Sequence, residues 1–350
     1  MALVKSGSRH WRTGVTLVAI LLSACGTESG DDDTVRVQVF TGAYSSIPIH
    51  VAEELGIFER HGIRIEKLPA NSSSAALAAM IGGSMDIVES AADLVMANVD
   101  KGTELKYLMS NEGTNYVTVV VGNHLDLPAD ANNYVTVFRS LEGRRIGVNA
   151  IGSTVYLAAL MMLEDAGINA DDVEFVATGT AATTMSAWQS GSVDAQVTFA
   201  PVPELLETLG VASPAFVLAD DGPAALRFEG LYGGWVTTAA FVEERGADAD
   251  AFIAAVTESI DWIRDPVNET AMVEIARRHA PVSALSQEQN DAVLKKMIER
   301  YRRFWGYEIS REAIAKWNDY ALHFGLIREP VDFERIVYDG APVCEVPPCR

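Results

Sequence analysis

Two acidic residues carry the most specific chemistry in this chain of 350 residues. Glu89 follows the apolar pair Ile87-Val88, and Glu112 stands where the run Lys106 to Met109 gives way to a connecting segment. A carboxylate so placed can hold an amino group or a protonated ring nitrogen, a charge-assisted bond of about 1.5–3 kcal/mol. Each also reads as a solvated loop-edge acid. The loop Gly152-Ser153-Thr154 offers a second chemistry, since backbone N–H groups and hydroxyls at a helix start can receive an anion without Lys or Arg. Ser and Thr are equally the preferred helix caps, and capping is the stronger reading for Asn71-Ser72-Ser73-Ser74. Phe40, Tyr44, Tyr156, Phe199, Tyr232 and Trp235 can stack a flat ring, although core packing is the usual fate of such residues. Tyr44, in a polar loop, and Trp235, beside Gly233-Gly234, are the favoured contacts. Two acids with no basic residue in these loops argue mildly against a small anion and for an amine-bearing or aromatic ligand.

Catalytic constellations are thin. The six histidines are scattered, no pair has metal-ligand spacing, and no Gly-x-Ser-x-Gly elbow occurs. His50 is expected on the exposed side of its helix. Cys344 and Cys349 flank Val346-Pro347-Pro348 and can close a small disulfide loop in an oxidising exterior; as metal ligands without a nearby His they are incomplete. No enzyme activity, cofactor or metal is expected.

The elements that must position these groups begin at Val35. Val35, Val37 and Val39 alternate with Arg36 and Gln38 as a strand, Phe40-Thr41-Gly42-Ala43-Tyr44-Ser45-Ser46 is a polar loop, and Val51, Leu55 and Phe58 share one helix face. Ser45 or Ser46 can cap that helix, Pro48 suits its first turn, Gly62 ends it, and Ile63 and Ile65 start a second strand. In such a β-α-β unit the helix start lies at the carboxyl edge of the sheet, where α/β proteins bind ligands. The pattern then repeats. Gly62 matches Gly167 and Gly83-Ser84-Met85-Asp86 matches Gly191-Ser192-Val193-Asp194, with Thr178-Gly179-Thr180 opening the corresponding second helix. A repeat of about a hundred residues means two copies of a doubly wound α/β lobe. Tyr116 to Val121 reads as a strand crossing between lobes and Leu231 to Trp235 as the return. Helices follow at 248–264, 268–279, 286–304 and 310–324.

The balance of 27 Lys+Arg against 48 Asp+Glu gives −21, which disfavours nucleic acid and anionic surfaces. Lys5, Arg9 and Arg12 precede the apolar stretch Gly14 to Leu22, which is too short to span a bilayer. Leu22-Ser23-Ala24-Cys25 then reads as a bacterial lipobox, with cleavage before Cys25 and acylation of its thiol. Residues 25–33 form a polar acidic tether.

The lipobox, Ala52-Glu53-Glu54-Leu55-Gly56-Ile57-Phe58-Glu59-Arg60-His61-Gly62, Gly83-Ser84-Met85-Asp86-Ile87, Leu141 to Val148 and Gly191-Ser192-Val193-Asp194-Ala195 resemble the solute-binding lipoproteins of ABC importers, nearest the nitrate/sulfonate/taurine type, whose fold is that of thiamine-pyrimidine binding proteins. The resemblance covers about Val35 to Asp339. It implies an α/β periplasmic-binding-protein-like fold of type II: two doubly wound lobes joined by a hinge, with a helical C-terminal part. The expected division is a signal peptide at 1–24, a tether at 25–33, lobe one at 34–118 plus 230–340, lobe two at 119–229 and a tail at 341–350. Carried onto matching positions, the resemblance places ligand contacts at Phe40, Thr41, Gly42 and Tyr44; Asn71 and Ser72; Glu89 and Ser90; Asn111 and Glu112; Gly152, Ser153 and Thr154; Thr178, Gly179 and Thr180; and Phe199, Tyr232 and Trp235. Implied partners are a small organic solute (sulfonate-like, amine-bearing or thiamine-pyrimidine-like) captured by hinge closure, an ABC permease with its ATPase, no nucleic acid, and the membrane through lipid on Cys25; a monomer is expected. A ligand sensor for a membrane signalling protein is the alternative. The related thiamine-pyrimidine synthases carry a Cys-rich iron motif that has no counterpart before Cys344.

Overall fold

The computed structural model describes residues 34–40, 42–127, 133–179, 181–282 and 285–350; the lipobox with Cys25, Thr41 and Thr180 lie outside them. Strand β1 (Thr34–Phe40) pairs in parallel with β2 (Arg64–Ala70), with Val35 and Val37 fully buried. Gln38 departs from the expected alternation. It too is buried, because its Oε1 accepts the backbone N–H of Glu89 at 2.9 Å. The first helix is also shorter than expected. α1 (Ile47–Glu54) stops before Gly56, whose φ of 62° breaks the run, and α2 (Ile57–Arg60) resumes it.

β1 continues the sheet through a bridge between Val37 and Ile87 into β3 (Val88–Ala91), which together with β4 (Leu105–Glu112) flanks β10 (Gly233–Thr238). The order across the first lobe is therefore β2-β1-β3-β10-β4. The second lobe contains β5 (Thr118–Gly122), β6 (Arg145–Val148), β7 (Glu174–Ala177), β8 (Ala195–Thr198) and β9 (Ala212–Val217), in the order β7-β6-β8-β5-β9. The two orders superpose element for element. In each lobe the fourth strand is antiparallel to both neighbours and is supplied by the segment crossing in from the other lobe.

A polar clamp marks the repeat. Asp86 receives the N–H, Nε and a terminal guanidinium nitrogen of Arg36 at 2.7, 3.0 and 2.5 Å, while the other nitrogen reaches the Gly83 carbonyl. Asp194 receives the same three groups of Arg145 at 3.0, 2.9 and 2.9 Å, and Arg145 also reaches the Gly191 carbonyl. One clamp fastens the start of β1 to the turn before β3, the other the start of β6 to the turn before β8.

Helices α3 (Ser73–Ile81) and α4 (Ala92–Asp100) serve the first lobe, and α5 (Tyr134–Arg139), α6 (Thr154–Ala166), α7 (Ala181–Gln189), α8 (Val202–Thr208) and α9 (Leu218–Asp221) the second. The C-terminal part is helical: α10 (Ala239–Arg264), α11 (Glu269–His279), α12 (Gln287–Tyr301) and α13 (Arg311–His323). Thr238 caps α10, Ser259 on α10 donates to the Pro48 carbonyl at 2.7 Å, and Ser286 with Gln289 forms a capping box on α12. Trp317 of α13 stacks on Phe228, ring centroids 3.7 Å apart, and donates its indole N–H to the Leu231 carbonyl. Cys344 and Cys349 are joined as a disulfide.

The clamp makes a pH-dependent prediction. Burial would raise the Asp194 carboxyl, but the hydrogen bonds from Arg145 and the contact with His124 hold it at about 2. A depressed carboxylate adds stability that is present above the unfolded value near 4 and lost as pH falls toward 2. Asp194→Asn is expected to cost about 1–2 kcal/mol in urea denaturation at pH 7, discounted because Arg145 is partly exposed. The gap to wild type should close toward pH 2. A gap independent of pH contradicts an ionic clamp.

Candidate functional site

At the carboxyl edge of the first sheet, β3 and β4 deliver Glu89 and Glu112 to the same side of β10. Gly233 pairs with Glu112 on one side and Trp235 with Glu89 on the other. The absence of a side chain at Gly233 makes the room. A Cβ there would lie 2.7 Å from Oε2 of Glu112 and 2.8 Å from Oε1 of Glu89, so the two carboxyl groups meet over the glycine. Asn111 supports the pair: its Nδ2 donates to Oε1 of Glu112 at 3.1 Å and to the Ser45 carbonyl at 2.8 Å, while its Oδ1 accepts the Trp235 indole N–H at 3.2 Å. Glu89 hydrogen-bonds to the Ser45 side chain and to Glu112.

An aromatic box closes over the carboxyls. Tyr44 stacks on Trp305, centroids 3.9 Å apart at 16°, and donates its hydroxyl to the Tyr301 carbonyl at 2.7 Å. Tyr116 lies 5.1 Å from Tyr44 and meets Tyr232 edge-on at 5.6 Å; Phe199 stands at the margin, 6.4 Å from Tyr116. Trp305 reaches the pair through a backbone bridge to Glu112. Burial, reinforced by the acids, holds the hydroxyls of Tyr44, Tyr116 and Tyr232 well above the ordinary tyrosine value, so they remain proton donors.

Burial pushes Glu89 up to about 7, and burial together with the charge of Glu89 drives Glu112 well above the ordinary range. Through neutral pH the pair therefore keeps at least one proton and carries at most one negative charge. Two polar atoms around it have no hydrogen-bond partner: Nε2 of Gln38 and Nε1 of Trp305. Orphaned buried atoms are costly, about 1–3 kcal/mol each, and a bound solute would satisfy them.

The lobes meet around this group. Thr154 Oγ1 donates to Asp93 at 2.7 Å, the Tyr320 hydroxyl to the Thr154 carbonyl at 3.0 Å, and the hydroxyls of Tyr301 and Thr118 are 2.7 Å apart. Arg300 on α12 pairs with Glu204 and Glu207 on α8. Burial lifts Glu204 to about 7 against the pull of Arg300. The acids and the rings facing them are all at least nine-tenths buried, so a solute reaches them only when the lobes part. A cavity of about 210 Å³ opens elsewhere at the lobe junction, lined by Met161, Ala225, Lys316, Asp319, Tyr320 and His323, and none of the carboxyl group's residues faces it.

Of the positions carried over from sequence, Tyr44, Glu89, Asn111, Glu112 and Tyr232 come together here, with Ser90 behind them accepting the Tyr107 hydroxyl on its carbonyl. Phe40 and Gly42 lead into the group at the end of β1. Trp235 is not a box wall. It is fully buried in the core against Phe252 and acts through Asn111. Asn71 and Ser72 stand exposed at the start of α3, which Ser72 caps. Gly152 is exposed, Ser153 caps α6, and Thr154 spends its hydroxyl between the lobes. Thr178 turns its hydroxyl into the second sheet, bonded to Val148 and Gln196, and Gly179 is exposed. Gln38, Ser45, Tyr116, Tyr301 and Trp305 went unread; Trp305-Gly306, an aromatic–glycine step just past a helix end, was the available signal for the last.

The family model described as NMT1/THI5 like matches residues 44–269, and the chain belongs to that family. No curated protein matches. Among solved structures, the aliphatic sulphonate binding protein SsuA of Escherichia coli aligns over 88% of this chain and 98% of its own at 16% identity, TM-score 0.70. The alkanesulfonate-binding SsuA of Xanthomonas axonopodis, bound to MOPS, aligns over 87% and 98% at 17%, TM-score 0.68. The nitrate-binding NrtA of Synechocystis aligns over 70% and 66% at 18%, TM-score 0.55. These likenesses place the chain in the periplasmic-binding-protein fold expected for it.

The carboxyl pair has a stability signature opposite in sign to that of Asp194. A carboxyl whose folded value is raised contributes fully below the unfolded value near 4.5 and loses that contribution as pH rises through about 7. Without solute, stability should fall by at least about 2–3 kcal/mol between pH 5 and 8; Glu89→Gln should shrink the fall, and the double variant Glu89→Gln, Glu112→Gln should abolish it, because burial alone keeps Glu112 raised. A Glu89→Gln profile parallel to wild type removes the shared-proton description.

Proposed function

We propose that the chain is the solute-binding component of an ABC importer and that it captures a small amine-bearing, flat-ringed solute, of thiamine-pyrimidine-like character, between its two lobes. The observation that carries this reading is the buried carboxyl pair of Glu89 and Glu112, meeting over Gly233 inside an aromatic box with two unpartnered N–H groups. A protonated amine answers the charge, a ring can stack on the aromatic box once the lobes part, and acceptors on that ring answer the N–H groups of Trp305 and Gln38. Arg300, where the lobes meet, is already engaged by Glu204 and Glu207, which disfavours the anions named for the SsuA and NrtA structures. Lobe one comprises 34–118 with 230–340 and lobe two 119–229. Lipid on Cys25 anchors the protein on the extracytoplasmic face, the 25–33 tether lets it reach a permease and its ATPase, and binding itself is the activity, with no bond made or broken.

The test is thermal unfolding of the protein against sulfonates, nitrate, amino acids, polyamines and aminopyrimidines. A solute at about 100 times its dissociation constant adds about 2.7 kcal/mol and raises the midpoint by a few degrees. Amine solutes that stay protonated at pH 8 are expected to shift it at pH 8 more than at pH 6, because Glu89 ionises across that interval. Trp305→Ala and Glu112→Gln should each weaken binding at least tenfold. Stabilisation by sulfonate or nitrate alone would overturn the assignment of a cationic solute while leaving a binding protein.

A further inference from the structure

Away from the carboxyl pair, α1, β2 and α11 bring together groups that are far apart in sequence. His50 and Glu53, three residues apart on α1, share one face, and His279 arrives from the end of α11. One nitrogen from each imidazole and one carboxylate oxygen of Glu53 lie within 4.8 Å of one another. The His50 expected on the exposed helix side is in fact buried, because the His279 ring covers it, centroids 4.3 Å apart at 9°. Nε2 of His279 is 2.8 Å from Oε1 of Glu54, a carboxylate that Arg278 also grips at 3.1 and 2.9 Å. With Nε2 donating to Glu54, Nδ1 of His279 carries the lone pair, the arrangement in which an outer carboxylate orients a metal-binding histidine.

A cation already rests on two of the three donors. The Lys67 ammonium stands 3.4 Å from Nδ1 of His50 and pairs with Glu53. We propose that His50, Glu53 and His279 form a binding site for a divalent transition-metal ion, zinc by donor type, which enters by displacing the Lys67 ammonium. Two imidazoles, one carboxylate and a water make a four-coordinate nitrogen–oxygen zinc set, with bonds of about 2.0–2.2 Å. The donors must close up from their present spacing, and because each imidazole lone pair lies in its own ring plane the His279 ring must turn out of its parallel stack on His50; partly exposed His279, exposed Glu53 and the long Lys67 chain are the groups free to move. The position matters for the cleft. α1 follows directly on the Tyr44–Ser46 turn, and Pro281, two residues past His279, places its carbonyl 3.9 Å from the Cβ position of Gly42. A bound ion pins the end of α11 to the segment that carries Tyr44.

The experiment is calorimetric titration of zinc chloride into full-length protein prepared without a polyhistidine tag and stripped with chelator, with circular dichroism to verify folding of each variant. Wild type is expected to bind one zinc ion that His279→Ala weakens at least tenfold. Lys67→Met is expected to tighten it at least tenfold, since the competing ammonium is gone, which a merely structural lysine would not do. No zinc binding by wild type, equal affinity in His279→Ala, or unchanged or weaker affinity in folded Lys67→Met each overturns the site.

Discussion

Two carboxyl groups buried side by side over a glycine constrain much of the surrounding design. Water would normally solvate each of them; here burial and mutual repulsion leave room for one charge, so one proton is retained near neutral pH. Gly233 provides the space, Asn111 and Ser45 the donors, and the tyrosines with Trp305 the apolar walls that keep the local dielectric low. A group of this kind weakens the empty protein and is retained where something outside the chain completes it. The mismatch between its inventory and its partners is informative about the chemical shape of what binds.

The rest of the structure holds that group in register twice over. Both sheets run in the same order, and each is locked at the same place by an arginine whose backbone and side chain grip one aspartate. Asp86 and Asp194 were legible as members of a repeated Gly-Ser-x-Asp turn; what they do was not, because their partners Arg36 and Arg145 lie about fifty residues away and look like ordinary strand-edge cations.

The same distinction separates what the chain discloses from what it conceals. Strand alternation, capping serines and turn glycines act over a few residues, and they located both lobes, the crossing strands and the four long C-terminal helices. Glu89 and Glu112 stood out because acids at strand ends are unusual. Tyr44, though, sits in a polar stretch and is almost wholly buried, since Trp305 and Tyr301 arrive from more than 250 residues downstream to cover it. Trp235 gave the opposite impression: adjacent glycines suggested an open ligand wall, whereas Phe252 of α10 fills that side. Serines and threonines at helix starts proved mostly occupied with their own helices or with the opposing lobe, a role that composition cannot distinguish from ligand contact.

Glu112 is the last residue of β4, and the chain leaves the first lobe immediately after it, entering the second at Thr118. The returning segment is bonded to the same spot, Tyr232 to the Glu112 carbonyl at 2.8 Å and Gly230 to that of Gly113 at 2.7 Å. Fulcrum and grip are thus one piece of backbone. Any torque that swings the lobes apart is applied through Glu112, the proposed solute contact, so on that proposal leverage from outside loosens the grip at the same stroke that opens the mouth.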